Sequence, residues 1–140
     1  MKVAVNRCYG GFDLSPKAVK MLMNRKGLNC FMYKQTKYKF DSGKEEFTRI
    51  DETSEECGLG TYYVKNDLGD RTDNIPKDSY WYYGDIDRTD EDLISVIEEL
   101  GDGANGRFGS IEVIKIPNDI EWEIDNYDGI ETIHERHRSW

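Results

Sequence analysis

The strongest folding signal in the sequence is a helix that is marked at both ends, between Ser15 and Gly27. Ser15 belongs to the residue types that cap helix N-termini, and Pro16 follows at the first helical position, where its missing N–H costs nothing. Gly27 suits the left-handed conformation in which many helices end. The apolar residues between these ends fall on one face: Ala18, Val19, Leu22 and Met23. Such a helix must bury that face, so the chain must build a core.

A second helix is predicted to begin after Thr89 and to end at Gly101. Thr89 is the predicted N-cap, and the three acidic residues at 90–92 match the positive end of the helix dipole. The apolar residues again recur at helical spacing: Leu93, Val96, Ile97 and Leu100. A third, short helix is predicted over residues 130–137.

The segments around these helices are short and rich in β-branched and aromatic residues, which favour strands. Predicted strands cover residues 2–6, 28–34, 36–40, 45–50, 61–65, 80–83, 111–116 and 120–124, and predicted loops cover 51–60 and 66–78. Strands and helices in mixed order predict an α+β fold, an antiparallel or mixed sheet covered by two to three helices. A length of 140 residues fits a single domain over 1–140, with 35–80 as a hairpin and loop insertion.

Charge is distributed unevenly along the chain. Residues 1–50 carry 11 basic and 4 acidic side chains, whereas residues 51–140 carry 8 basic and 24 acidic ones, for a net charge of −9. Either the two parts neutralise each other locally, or the molecule has an acidic face that fits a basic groove on a partner. Direct binding of nucleic acid is not expected, because it requires a concentrated basic face.

The strand predicted over residues 120–124 suggests where such an acidic face lies. Its apolar residues alternate with Glu121 and Glu123, and side chains in a strand alternate between its two faces. The two glutamates are therefore predicted to point to solvent and to contact a protein partner.

The cysteines and the hydropathy pattern predict a cytoplasmic protein. Cys8, Cys30 and Cys57 are odd in number and widely spaced, which favours free thiols in a reducing compartment. No apolar run reaches the roughly 18 residues that a membrane span requires, and the first residues lack the apolar stretch of a secretory signal.

The loop over residues 6–12 is a candidate ligand site. Gly10 and Gly11 expose backbone amides beside Arg7, ahead of a helix, and such an arrangement can receive an anion. Tyr82, in the aromatic run 80–83, can stack on a base. The alternative is a structural turn in the first case and core packing in the second.

Other motifs indicate no chemistry. Residues 101–106 match G-x-G-x-x-G, but they follow a helix and precede a strand, the reverse of the order in dinucleotide-binding proteins, so a connector is predicted. His134 and His137 lie three residues apart on the predicted terminal helix, without a third zinc ligand nearby. No metal or cofactor is predicted, and the absence of an acyl-transfer constellation predicts that the chain is not an enzyme.

Two segments together resemble a family of small proteins encoded by phages and prophages. One reads NRCYGGF from Asn6 and continues through Leu14 and Ser15 into the first helix; the other reads IPNDIEWEI from Ile116, then YDGIE from Tyr127 and HRSW from His137. The resemblance implies an accessory protein in the host cytoplasm. Such proteins often inhibit a host or defence-system protein by stoichiometric binding. Two alternatives stay open, a nucleotide-signal sponge that binds a small anionic ligand and a small hydrolase.

Overall fold

The fold is α+β, as the sequence predicts. The computed structural model describes residues 1–8, 11–39, 43–51, 61–107, 109–118 and 121–135. Within these residues the chain forms two α-helices and eight strands, and every strand pair is antiparallel. The elements are β1 (Lys2–Asn6), α1 (Pro16–Arg25), β2 (Phe31–Lys37), β3 (Glu46–Ile50), β4 (Thr61–Val64), β5 (Arg71–Thr72), α2 (Glu91–Leu100), β6 (Ile111–Lys115), β7 (Trp122–Tyr127) and β8 (Ile130–Glu135). None of the helices in this described part is long and apolar enough to cross a membrane.

The chain divides into two units. The first unit comprises Met1–Ala18 and Ile86–Trp140, and the second comprises Val19–Asp85. The second unit is thus one continuous stretch inserted between the two parts of the first. It contains the region that the sequence marks as a hairpin and loop insertion, although it begins earlier, inside helix α1. A single domain over the whole chain stays a prediction.

The first unit is built around strand β1. This strand pairs with β6 from Lys2 opposite Lys115 to Asn6 opposite Ile111, and helix α2 packs on both strands. Strands β7 and β8 form a separate hairpin, which contacts β1 through β8. The core of this unit includes side chains from β1 and α2: Val3, Ala4, Val5, Leu93, Val96 and Ile97. Strand β1 therefore connects the sheet, the helix and the hairpin.

Both helices form where the sequence predicts them, with one correction at a cap. The Ser15 hydroxyl accepts the N–H of Ala18 at 3.2 Å, and Gly27 adopts a φ of 79°, which confirms the predicted ends of α1. Helix α2 is capped by Asp90, whose carboxylate accepts the N–H of Leu93 at 3.0 Å. Thr89 is not the cap, because its hydroxyl donates to the Asp87 carboxylate at 2.9 Å instead. The G-x-G-x-x-G segment begins as the short 3₁₀ helix Gly101–Ala104 after α2, which confirms a connector.

The second unit contains a four-stranded sheet in the order β4-β2-β3-β5. Tyr33, Phe47, Val64 and Ile75 form its buried cluster. The Tyr33 hydroxyl donates to the Gly69 carbonyl at 2.7 Å and accepts the N–H of Leu68 at 3.0 Å, so the loop after β4 is tied to the sheet. The Gly69 N–H and the Arg49 guanidinium hold the pKa of the Asp67 carboxyl in this loop below its usual value.

Three sequence predictions change in the second unit, and a fourth lies almost wholly outside the described residues. The predicted strands at 28–34 and 36–40 are one strand, β2, which pairs on both sides with β3 and β4. Residues 80–83 are not a strand, since only Tyr80 forms a bridge, with Val64, and Tyr83–Asp85 is a 3₁₀ helix. The predicted loop at 66–78 contains strand β5 and the start of the 3₁₀ helix Lys77–Ser79. Of the predicted loop at 51–60, residues 52–60 lie outside the described residues.

Candidate functional site: the outer face of the C-terminal hairpin

Residues 122–135 form a β-hairpin, so the helix predicted over 130–137 is wrong for residues 130–135; residues 136 and 137 lie outside the described residues. Tyr127 pairs with Ile130 across a two-residue turn in which Asp128 has a φ of 50° and Gly129 a φ of 95°. Positive φ at both positions defines the turn type whose twist matches that of antiparallel strands. The Asn126 side chain accepts the Gly129 N–H at 2.9 Å and closes the turn. An Asp-Gly pair between two alternating segments is the signal that predicts this hairpin.

The two faces of the hairpin differ in burial. The side chains of one face are buried or half-buried except for Asn126 beside the turn: Trp122, Ile124, Glu131, Ile133 and Glu135. The side chains of the opposite face are exposed except for the half-buried Ile130 beside the turn, and we call the exposed ones the outer face: Glu123, Asp125, Tyr127, Thr132 and His134. The period of two along each strand separates the sets, because residues paired across antiparallel strands share a face.

An imidazole lies between two carboxylates on the outer face. His134 and Glu123 are paired across the strands, and Nε2 of His134 lies 2.9 Å from Oε1 of Glu123. Nδ1 of His134 lies 3.2 Å from Oδ2 of Asp125, which is two residues further along β7. The predicted placement of His134 on a helix is wrong, because His134 lies on strand β8. His137 lies outside the described residues, so its position relative to His134 stays a prediction.

The outer face is acidic and carries a large exposed aromatic ring. Glu123 and Asp125 both lie on this face, and the sequence from Glu121 to Glu135 contains no lysine or arginine. Tyr127 is 73% exposed at the end of β7, next to the turn. Glu121 is also exposed and directly precedes β7, so both predicted partner-contacting glutamates lie at the surface. Carboxylates around an exposed tyrosine are suited to a basic protein surface, because the ring adds contact area that can hydrogen-bond.

The inner face is anchored by one buried carboxylate. Glu131 is 4% exposed, and its two oxygens accept from the two terminal nitrogens of Arg88 at 2.6 and 2.9 Å. Oε1 also accepts the backbone N–H of Asn6 at 2.8 Å. The Arg88 guanidinium lies 3.6 Å from the centre of the Phe12 ring. These contacts fix the hairpin to β1 and to Arg88 from its inner face.

The predicted ligand site over residues 6–12 is part of the same anchor. Arg7 donates to the Glu131 carbonyl at 3.1 Å and pairs with Glu112 at 3.4 Å. Gly11 has a φ of 98°, and Gly10 lies outside the described residues. The Arg7 guanidinium, which is predicted to bind an anionic ligand, thus already binds oxygen atoms of the protein itself.

Tyr82 belongs to the second unit, whereas Arg7 and Gly11 belong to the first. Its ring is 63% exposed and lies 5.1 Å from that of Tyr83, centre to centre. A stacking role for Tyr82 stays a prediction.

No protein-family model, curated protein or solved structure matches this chain. Its function is therefore inferred from its own residues, and the outer face of the hairpin is the feature with the most definite chemistry.

Proposed function

We propose that this chain is a phage-encoded, non-enzymatic accessory protein that inhibits a host defence protein by binding to it stoichiometrically in the host cytoplasm. The outer face of the hairpin provides the contact, and a basic groove or patch on the host protein receives it. The phage context comes from the resemblance of the two end segments. The observation that carries the binding mode is the acidic outer face with the exposed Tyr127 ring.

The arrangement of the hairpin supports binding through complementary charge. Glu121, Glu123 and Asp125 lie within five residues on or beside one strand, and all three are exposed. Isolated surface charges contribute little, but a coherent patch increases the association rate and excludes partners of the wrong charge. The hairpin is held by Glu131 from its other side, so little ordering is needed when the outer face binds.

Reversing the charge of Glu123 on the outer face and of Glu121, which directly precedes β7, tests this proposal. A protein partner is first captured from defence-expressing bacteria with the wild-type chain, and its affinity is then measured for Glu121→Lys/Glu123→Lys. Neither side chain is in the core, so we expect a folded protein with an affinity lower by about tenfold or more, because two attractive contacts become repulsive. Circular dichroism checks the fold.

A matched control separates a local effect from a change in net charge. Asp73→Lys/Asp78→Lys makes the same change in charge at two exposed positions of the second unit. We expect this control to bind like the wild type. Equal loss in both variants, or none in the first, would overturn the assignment of the outer face. Retention of a nucleotide, without any protein, would favour the sponge instead.

A further inference from the structure

Glu123, Asp125 and His134 together have the composition of a metal site. Among the residues that the structure describes, they are the one set of three histidine, cysteine or acidic side chains whose ligand atoms all lie within 4.8 Å of one another. A borderline ion such as Zn²⁺ is bound in proteins by imidazole nitrogen and carboxylate oxygen. The imidazole distinguishes this set from an ordinary cluster of surface acids.

The backbone holds the three side chains in one place. Glu123 and His134 are directly paired across the hairpin, and Asp125 follows Glu123 on the same face of β7. Bonds of about 2.0–2.1 Å to a tetrahedral ion place its ligand atoms about 3.4 Å apart. His134 contacts the two carboxylates through different ring nitrogens, Glu123 through Nε2 at 2.9 Å and Asp125 through Nδ1 at 3.2 Å. One ligand atom from each of the three residues nevertheless lies within 4.8 Å of the other two, so small side-chain movements bring the set to this spacing.

We propose that the outer face binds one divalent transition-metal ion, with Glu123, Asp125 and His134 as its protein ligands. The His134 ring binds the ion through a single nitrogen. The ion therefore takes the place of the hydrogen at that nitrogen's carboxylate contact, and the carboxylate beside the other nitrogen moves toward the ion. All three side chains are substantially exposed, at 50, 66 and 41%, and can make this adjustment. Water completes the coordination. This site goes beyond the proposed function, because the ion binds the chain in the absence of any host protein.

The ligand set also predicts which ions bind. Mg²⁺ and Ca²⁺ prefer ligands that are all oxygen, whereas imidazole suits Zn²⁺, Co²⁺ and Ni²⁺. We therefore expect Zn²⁺ and Co²⁺ to bind the full chain in the presence of excess Mg²⁺. Co²⁺ reports its own geometry, because four-coordinate Co²⁺ absorbs visible light much more strongly than the hydrated ion.

The experiment is a titration of the metal-free full chain with Zn²⁺ by calorimetry and with Co²⁺ by visible absorption. We expect one ion per chain, with affinity reduced about tenfold or more by His134→Asn and by Asp125→Asn. Asp78→Asn removes an exposed carboxylate in the second unit and serves as the control, with unchanged affinity. Amide resonances of β7 and β8 should shift on binding.

Two results would overturn the proposal: no binding of Zn²⁺ or Co²⁺ in these titrations, or binding that His134→Asn leaves unchanged. Neither result affects the partner proposal, which is measured without added metal.

Discussion

At the residue scale, the attachment of the hairpin to the first unit depends on Glu131, a buried acid on the inner face of β8. Its carboxylate receives both terminal nitrogens of Arg88 and the N–H of Asn6. A buried carboxylate requires such partners, because an unpaired charge in the interior is costly. The sequence places Glu131 beside five other acids of the same segment, and nothing in its local pattern distinguishes it from them.

Replacing Glu131 tests this anchor. Glu131→Gln should lower the free energy of unfolding by about 3 kcal/mol, because it leaves the half-buried Arg88 guanidinium without its counter-charge. Glu112→Gln, which removes the exposed carboxylate paired with Arg7, should cost less than about 1 kcal/mol. Urea denaturation of the full chain measures both.

A double variant separates the pair from its parts. The double variant Arg88→Met/Glu131→Met should lose less stability than the single variants Arg88→Met and Glu131→Met lose when their losses are added. The reason is that neither charge is left without a partner in the double variant. Costs that simply add, or equal costs for Glu131→Gln and Glu112→Gln, would contradict the anchor.

At the element scale, the hairpin of β7 and β8 shows how a local signal can be misinterpreted. Residues 130–137 contain apolar and charged residues at spacings that fit a short helix, but Asp128 and Gly129 precede them. A two-residue turn with positive φ directs the chain back along β7, so the following residues pair with it as a strand. By contrast, both ends of helix α1 are predicted correctly, because its capping residues are adjacent to it in sequence.

Gly129 tests the turn. Gly129→Ala should destabilise the chain by about 1 kcal/mol, because alanine pays a steric cost at a φ of 95° that glycine avoids. Asp128→Asn should leave stability within about 0.5 kcal/mol, since asparagine tolerates the left-handed region. Thermal unfolding compares the variants, and amide exchange in β7 and β8 localises the effect. An alanine variant as stable as the wild type would contradict the turn assignment.

At the scale of the whole molecule, strand pairing decides which acidic residues of the sequence are exposed together on the hairpin. The net charge of −9 by itself does not say where the excess lies. Because β7 pairs with β8 in this register, Glu123 and Asp125 lie on the exposed face of the hairpin, whereas Glu131 lies on the opposite face and binds Arg88. Long-range pairing therefore decides which acids are available to a partner.

Salt tests the electrostatic part of the proposed function. If the outer face binds a basic surface, the affinity for the captured partner should fall by about tenfold or more between roughly 50 and 500 mM salt, because the Debye length shortens from about 14 to about 4 Å. Surface-based binding measurements at both salt concentrations give the ratio. An affinity that stays constant over this range would mean that apolar contacts dominate.

The sequence alone determined the fold class, strand β1, both ends of helix α1 and the C-terminal end of α2, because their capping residues, apolar period and strand-favouring residues act on near neighbours. The exposure of Glu121 and Glu123 also followed from alternation within one short segment. Only the tertiary structure decided that Glu131 is buried and that His134 lies between Glu123 and Asp125. Those contacts depend on strand register and on partners distant in sequence, such as Arg88, which lies 43 residues from Glu131.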